Sequence, residues 1–283
     1  MFTAPFVYAL LALLACILGF AVYTLAQAAV GWIAGIHVQE VSIGFGPSLW
    51  ERTMHGCKFR VGCIPMGGST LFAGMTKDDE LPVSEAGAPL GKRLIDTPPW
   101  TRLILALVGP VSCLLMGIVL LGVAVWAGAP QLAVTTPAES MVRPCAVGGL
   151  ALTSDPSSWA AQYQLLRATA LEFIWRTVSF QSLEGWGGYV GFIVTAGAIG
   201  PLSGWGWLTS VGILFICMGV SNLLPLPSLN GFQALSLLYE MVTGTPLSHL
   251  PLWLHLPAIL LTFVIMIRVF WIDLRWCWGV LFS

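Results

Sequence analysis

The chain has 283 residues, of which 57% are hydrophobic and only 9% are charged. Soluble domains carry about 25% charged residues, so this composition indicates an integral membrane protein whose fold is governed by the bilayer. The net charge of −1 leaves no basic surface of the kind that binds nucleic acid. The seven cysteines form no CxxC pair, which argues against a zinc ribbon.

Four apolar stretches are long enough to cross a bilayer, which takes about 20 residues. In chain order they are residues 6–34, 103–129, 205–229 and 251–267. The fourth extends to Ile272 if Arg268 reaches the interface with its long side chain. A fifth stretch, residues 185–202, is rich in glycine, and we expect it to be re-entrant or interfacial. The predicted fold is therefore all-α and polytopic, a single membrane domain over residues 1–283.

The loop after the first span has the pattern of a β-hairpin. Val41, Ile43 and Phe45 alternate with polar or small residues, as in a half-buried strand. Residues 57–61 alternate in the same way, and residues 54–56 between them form a predicted turn. We therefore predict a small β-hairpin sheet as an insertion over residues 36–75. Strand alternation would place the two cysteines of this region, Cys57 and Cys63, on one face, where packing is the simplest role for them.

The distribution of basic residues in the loops predicts the orientation. The first loop contains six of them: Arg52, Lys58, Arg60, Lys77, Lys92 and Arg93. The residues before the first span contain none, and the second loop contains three over a similar length. The positive-inside rule then places the first loop and its hairpin in the cytoplasm and the N-terminus outside. Residues 129–160 form an extracytoplasmic connection in this topology.

Two short motifs lie far apart in the chain. One is YTLAQ at residues 23–27, within the uncharged first span, and the other is SNLLPLPSLNG at residues 221–231. Together they resemble the site-2 protease family of intramembrane zinc metalloproteases, which has HExxH in its first span and NxxPxxxLDG near its end. Three further segments are similar to family motifs. Residues 62–68 resemble a turn in the hairpin, residues 100–110 resemble the start of the second span, and residues 244–247 resemble the turn after LDG. Cys113 stands where the family has an asparagine.

The resemblance implies that the metal site is lost. Tyr23 and Gln27 stand where the family has its two histidines, Thr24 where it has the glutamate base, and Asn230 where it has a ligating aspartate. Zinc takes thiolate, imidazole or carboxylate ligands, whereas a phenol stays protonated at neutral pH and a carboxamide is a poor donor. A threonine cannot replace a carboxylate base. We predict no metal, no cofactor and no catalytic residue, and the alternative role of these side chains is a polar cluster that holds helices together.

No other residues supply a replacement metal site. The four histidines share no helical spacing with each other or with a carboxylate: His37, His55, His249 and His255. The predicted function is therefore that of a pseudoprotease, which binds another membrane segment or serves as a subunit of a membrane complex in the bacterial inner membrane. The alternatives are an active metalloprotease with atypical ligands and, less consistent with the uncharged first three spans, a transporter or channel.

Active members of the family are thought to hold substrate as an extended strand, which implies a candidate peptide-binding region. Its residues would be Phe59, Gly67, Gly68, Asn222 and Pro225. We expect residues 58–60 to form a sheet edge that could accept a partner strand. For Asn222 and Pro225, a helix break is the alternative role. The connection at residues 129–160 is too short for the PDZ domain that some members of the family insert there.

Overall fold

The computed structural model describes residues 3–75, 91–127, 131–134, 150–153, 205–226 and 229–245, together with isolated residues elsewhere. The predicted re-entrant segment at residues 185–202 and the predicted fourth span lie outside these continuous ranges. The described part of the chain is mostly helical and contains a small antiparallel sheet.

Two helices in the described ranges are long and apolar enough to cross a membrane. Helix α1 covers Thr3–Ile33 and helix α2 covers Pro99–Trp126, after a short 3-10 helix at Leu94–Asp96. At 1.5 Å per residue they are about 46 Å and 42 Å long, so the first two predicted spans are confirmed as membrane-length helices. Helix α2 begins four residues earlier than predicted, because Pro99 suits the first position of a helix.

Two shorter helices follow near the second motif. Helix α3 covers Gly206–Asn222, and helix α4 covers Asn230–Thr243. Helix α3 is about 25 Å long and ends before Pro225, which could not donate a backbone hydrogen bond within it. Helix α4 ends at Gly244, whose φ of 70° closes the helix in the left-handed region that glycine tolerates.

The predicted hairpin is confirmed, with longer strands than expected. Strand β1 covers Val38–Met54 and pairs antiparallel with β2 at Cys57–Phe72. The turn between them is His55-Gly56, where both residues have positive φ angles of 51° and 79°. Residues 62–68, where the resemblance implied a turn, lie inside β2, although the strand changes direction there and Gly67 has a φ of 87°. A second antiparallel pair consists of two four-residue strands, β3 at Gln131–Val134 and β4 at Leu150–Thr153.

The first part of β1 has partners on both sides, and this changes which segment is an edge. Glu40 lies opposite Leu71 on one side and Lys58 on the other. Lys58 in turn also lies opposite Thr53, so the predicted edge at residues 58–60 is wrong. Among the described residues, the segment Gly68 to Phe72 pairs only with β1, and it forms an edge of the sheet.

The two cysteines of the hairpin lie on different faces, contrary to the expectation from alternation. Cys57 is 4% exposed within the hydrophobic core, whereas Cys63 is exposed. The pairing register shifts between Phe45 and Ser48, opposite the Cys63 region, so the alternation from Cys57 does not continue that far.

The described chain divides into two compact units. One contains Cys16–Cys113 and Asn222–Leu256, and its core joins the end of α1, the hairpin and the start of α2. The core members are Ala28, Ile36, Val38, Val41, Cys57, Phe72 and Leu105. The other contains Met1–Ala15, Leu114–Ser221 and Pro257–Ser283. In that unit α2 and α3 approach closely at Gly117, where an added Cβ would lie 2.5 Å from the Ile216 side chain.

Candidate functional site

The side chain of Tyr23 lies where three helices meet within the first unit. Asn230, the first residue of α4, donates a hydrogen bond from Nδ2 to the Tyr23 hydroxyl over 3.1 Å. The tyrosine ring lies against α2 at Gly109, where an added Cβ would be 2.5 Å from ring carbon Cε2. The absence of a side chain at Gly109 therefore provides the space for the ring. Two of the four degenerate motif positions, 207 residues apart, are in direct contact.

Thr24 is fully buried and its hydroxyl is used within its own helix. Its Oγ1 lies 3.0 Å from the carbonyl oxygen of Phe20 and 3.1 Å from that of Ala21, and it donates to them. The Thr24 carbonyl accepts a hydrogen bond from the Thr70 hydroxyl over 3.1 Å, which ties α1 to β2. The link between the two elements therefore uses the Thr24 carbonyl, whereas the Thr24 hydroxyl bonds within α1 and cannot take a proton from water as a carboxylate base would.

A cavity of about 540 Å³ lies beside Tyr23. Its wall includes Gln27, one helical turn beyond Tyr23, and the edge segment of β2 at Gly68, Ser69 and Thr70. The other described residues of the wall come from the end of β2 and the residues after it, from the 3-10 helix, from the start of α2 and from one face of α4: Phe72, Met75, Leu94, Arg102, Leu105, Ala106, Asn230, Gln233, Ser236, Leu237 and Glu240. Three of the four motif positions, Tyr23, Gln27 and Asn230, thus face a space of the size that binds small ligands and peptide side chains.

The wall of this cavity contains an ion pair between α2 and α4. Arg102 Nη2 lies 2.6 Å from Glu240 Oε1, and Nη1 lies 3.3 Å from Oε2, so the pair is bidentate. The two side chains are 20% and 17% exposed. Arg102 Nε is buried and has no hydrogen-bond partner among the described residues. Glu240 is the only carboxylate among the described residues of the wall, and its charge is balanced by Arg102 in the same wall.

The side chains at the motif positions do not fit a zinc ion. They offer one phenol hydroxyl and two carboxamides, whereas catalytic zinc sites use three ligands drawn from imidazole, carboxylate and thiolate. The Asn230 amide and the Tyr23 hydroxyl are already bonded to each other. Across the described residues, no group of three or more His, Cys, Asp or Glu could hold a metal ion.

Neither of the two described histidines, His37 and His55, lines the cavity. His37 follows α1 and is buried, and burial lowers its pKa from the ordinary value. His55 is in the hairpin turn. His249 and His255 lie outside the described residues.

The structure separates the five candidate peptide-binding residues. Only Gly68 lines the cavity. Phe59 packs against the hydrophobic core, with its ring centroid 6.5 Å from that of Trp32. Gly67 lies against the Phe45 ring, and Asn222 and Pro225 lie at the end of α3 and in the following break.

Sequence reasoning missed the contribution of Gly109 and the Arg102–Glu240 pair. Both Gly109 and Arg102 belong to the second-span motif, which was the available signal. No local pattern connects Arg102 to Glu240, because the two residues are 138 positions apart.

Residues 10–264 match the family described as Peptidase family M50, and the chain belongs to this family. It is similar to Zinc metalloprotease Rip1 of Mycolicibacterium smegmatis, with 30% identity over 109 residues, or 36% of this chain and 26% of that protein. It is also similar to a protein of Chlamydia pneumoniae predicted to be a zinc metalloprotease, with 30% identity over 117 residues, or 40% of this chain and 18% of that protein. The matched segments thus span about a quarter or less of these relatives.

Proposed function

We propose that this chain is a non-catalytic member of family M50 that binds a segment of another integral membrane protein. The hydrogen bond between Tyr23 and Asn230 carries the proposal, because it joins two motif positions through side chains that do not suit zinc. A water molecule that is not bound to a metal keeps a pKa near ~15.7 instead of ~7, so hydrolysis would need a strong base.

Among the residues that the structure describes around the cavity, none is such a base. Thr24 donates its proton to backbone carbonyls, and Glu240 is held in a bidentate pair with Arg102. Gln27, Asn230 and Gln233 are neutral amides, which neither donate nor accept a proton readily at neutral pH. The described part of the wall can therefore bind through hydrogen bonds, and its side chains are not of the kind that would cleave a peptide bond.

The edge of the sheet supports a binding role. The segment Gly68 to Phe72 lines the cavity and pairs with β1 on one side only, within the described residues. An extended segment can add to such an edge through main-chain hydrogen bonds, which require no metal. The partner we propose is an integral membrane protein, because α1 and α2 are long and apolar enough to cross a bilayer. We further propose a bacterial inner membrane location, with the hairpin in the cytoplasm and the N-terminus outside.

A photocrosslinking experiment tests this proposal. A crosslinking amino acid at Ser69, which is exposed on the cavity wall, is expected to capture one defined membrane protein in intact cells. The matched control is the same amino acid at Trp126, an 89% exposed residue at the end of α2, which should capture lipid. Release of a cleaved partner fragment would contradict the non-catalytic role. Capture of the same protein from both positions would contradict binding at the cavity beside Ser69.

A further inference from the structure

Helix α4 has few means of holding its position by itself. Its 14 residues extend about 21 Å, which is too short to cross a bilayer. Leu229, which precedes it, provides no side-chain cap, and only Gly231 and Ala234 are buried. The position of α4 therefore depends on specific links to its neighbours.

Such links exist at both ends of α4. At its first residue, Asn230 donates to Tyr23 of α1 over 3.1 Å. Ten residues further along, Glu240 binds Arg102 of α2 over 2.6 Å. The two linked residues of α4 are about 15 Å apart along the helix axis, and both line the cavity.

The first link depends on how the tyrosine ring is seated. An added Cβ at Gly109 would lie 2.5 Å from Cε2 and 2.6 Å from Cζ of the ring, so ring and glycine fill one space. The ring is thereby held between α1 and α2, and its hydroxyl reaches Asn230. A single side chain consequently contacts both other helices of this site.

We propose that Tyr23 is a positioning residue that replaces a metal ion as the structural link between α1, α2 and α4. A metal bound by residues of different helices fixes the separation of those helices and contributes folding free energy. Here the Tyr23 hydroxyl fixes α4 to α1, and the Tyr23 ring sets the distance to α2. This inference rests on the proposed function and deepens it, because it explains how the cavity keeps its shape without an ion.

A double-mutant cycle tests the link. Tyr23→Phe removes the hydroxyl and keeps the ring, and Asn230→Ala removes the donor. Each single variant is expected to lower the Tm of the purified protein in detergent by about 2–4 °C. The double variant should fall no further than the more damaging single variant, because both changes break the same bond. Tyr239→Phe is the matched control, since it removes an exposed hydroxyl from α4, and it should leave the Tm unchanged.

A second readout reports the position of α4 rather than stability. Ser69→Cys, in a Cys63→Ser background, places a reactive thiol in the cavity wall opposite α4. Its maleimide labelling rate in the folded protein should rise in Tyr23→Phe and in Asn230→Ala by the same factor. In Tyr239→Phe the rate should stay at the wild-type value. A labelling rate unchanged by Tyr23→Phe would overturn the positioning role even if the Tm fell.

A third variant tests the seat of the ring. Gly109→Ala should lower the Tm in the wild-type background and lower it less in a Tyr23→Ala background, where no ring opposes the new methyl group. Additive losses in either cycle would overturn this inference alone. Stoichiometric zinc in the wild-type protein, with a Tm that falls on chelation, would overturn both this inference and the proposed function.

Discussion

Arg102 of α2 and Glu240 of α4 form an ion pair in the cavity wall, with Arg102 Nη2 2.6 Å from Glu240 Oε1. Removing one partner of a buried ion pair leaves an uncompensated charge. We expect Glu240→Gln to destabilise the protein by about 2–3 kcal/mol, less than for a fully buried pair because about a fifth of each side chain is exposed. Urea unfolding followed by tryptophan fluorescence measures the change.

Two further variants make this prediction specific to the pair. The exchanged double variant, Arg102→Glu with Glu240→Arg, should recover part of the lost stability, because attraction is restored. Glu51→Gln is the control, since Glu51 pairs with Lys58 at the exposed hairpin and its loss should have little effect. Equal losses in Glu240→Gln and Glu51→Gln would contradict a special role for the cavity pair.

The metal content of the purified chain is the second prediction. Elemental analysis should find much less than one zinc per chain in the wild-type protein, because the donor set at Tyr23, Gln27 and Asn230 is unsuitable. Changing Tyr23→His, Thr24→Glu, Gln27→His and Asn230→Asp together should produce a protein that binds zinc and releases it to a chelator. A well-folded quadruple variant without zinc would show that these positions are too far apart to share an ion.

The two hairpin cysteines give the third prediction. Burial, followed by the nearby Glu40 charge, raises the pKa of the Cys57 thiol, so the reactive thiolate is scarce at neutral pH. Cys63 is exposed. A maleimide at pH 7 should therefore modify Cys63 well before Cys57, as measured by mass spectrometry of digested protein. Comparable rates for the two cysteines would contradict the register shift that separates their faces.

The fourth prediction concerns acid sensitivity at His37. Its pKa is lowered by burial, so the unfolded chain binds the proton more readily than the folded chain. The stabilising contribution of neutral His37 is complete above about pH 6.5 and is lost as the pH falls toward the lowered folded-state pKa. His37→Gln should reduce the fall in Tm between pH 7.5 and pH 5. An identical fall in the wild type and His37→Gln would contradict this assignment.

The hairpin shows how far the sequence could predict the structure. The alternation of apolar residues around Val41 and Ile43 was sufficient to predict the strands. The His55-Gly56 turn was predicted because glycine tolerates positive φ angles. Alternation gives no information about which strand lies beside which. Gly44 and Gly46, with φ angles of 79° and 83°, lie between two parts of β1 that both pair with residues 58–61, so Lys58 has Glu40 on one side and Thr53 on the other.

The sequence predicted which residues belong to the candidate site, but it did not predict which of them are in contact. The motif spacing grouped Tyr23, Thr24, Gln27 and Asn230 as the positions that resemble the metal site of the family. Their contacts depend on packing between helices that are distant in sequence, as in the Tyr23–Asn230 bond across 207 positions. The acceptor of the Thr24 hydroxyl could not be predicted from the sequence either, because a threonine in a helix can donate to the backbone of its own helix or to a neighbouring element.

The space beside Gly109 also couples the choice of residue at two positions of this chain. An added Cβ at Gly109 would lie 2.5 Å from Cε2 of the Tyr23 ring, so a larger residue at position 109 and an aromatic ring at position 23 compete for one volume. Substitutions at these two positions are therefore expected to depend on each other in any sequence that shares this packing.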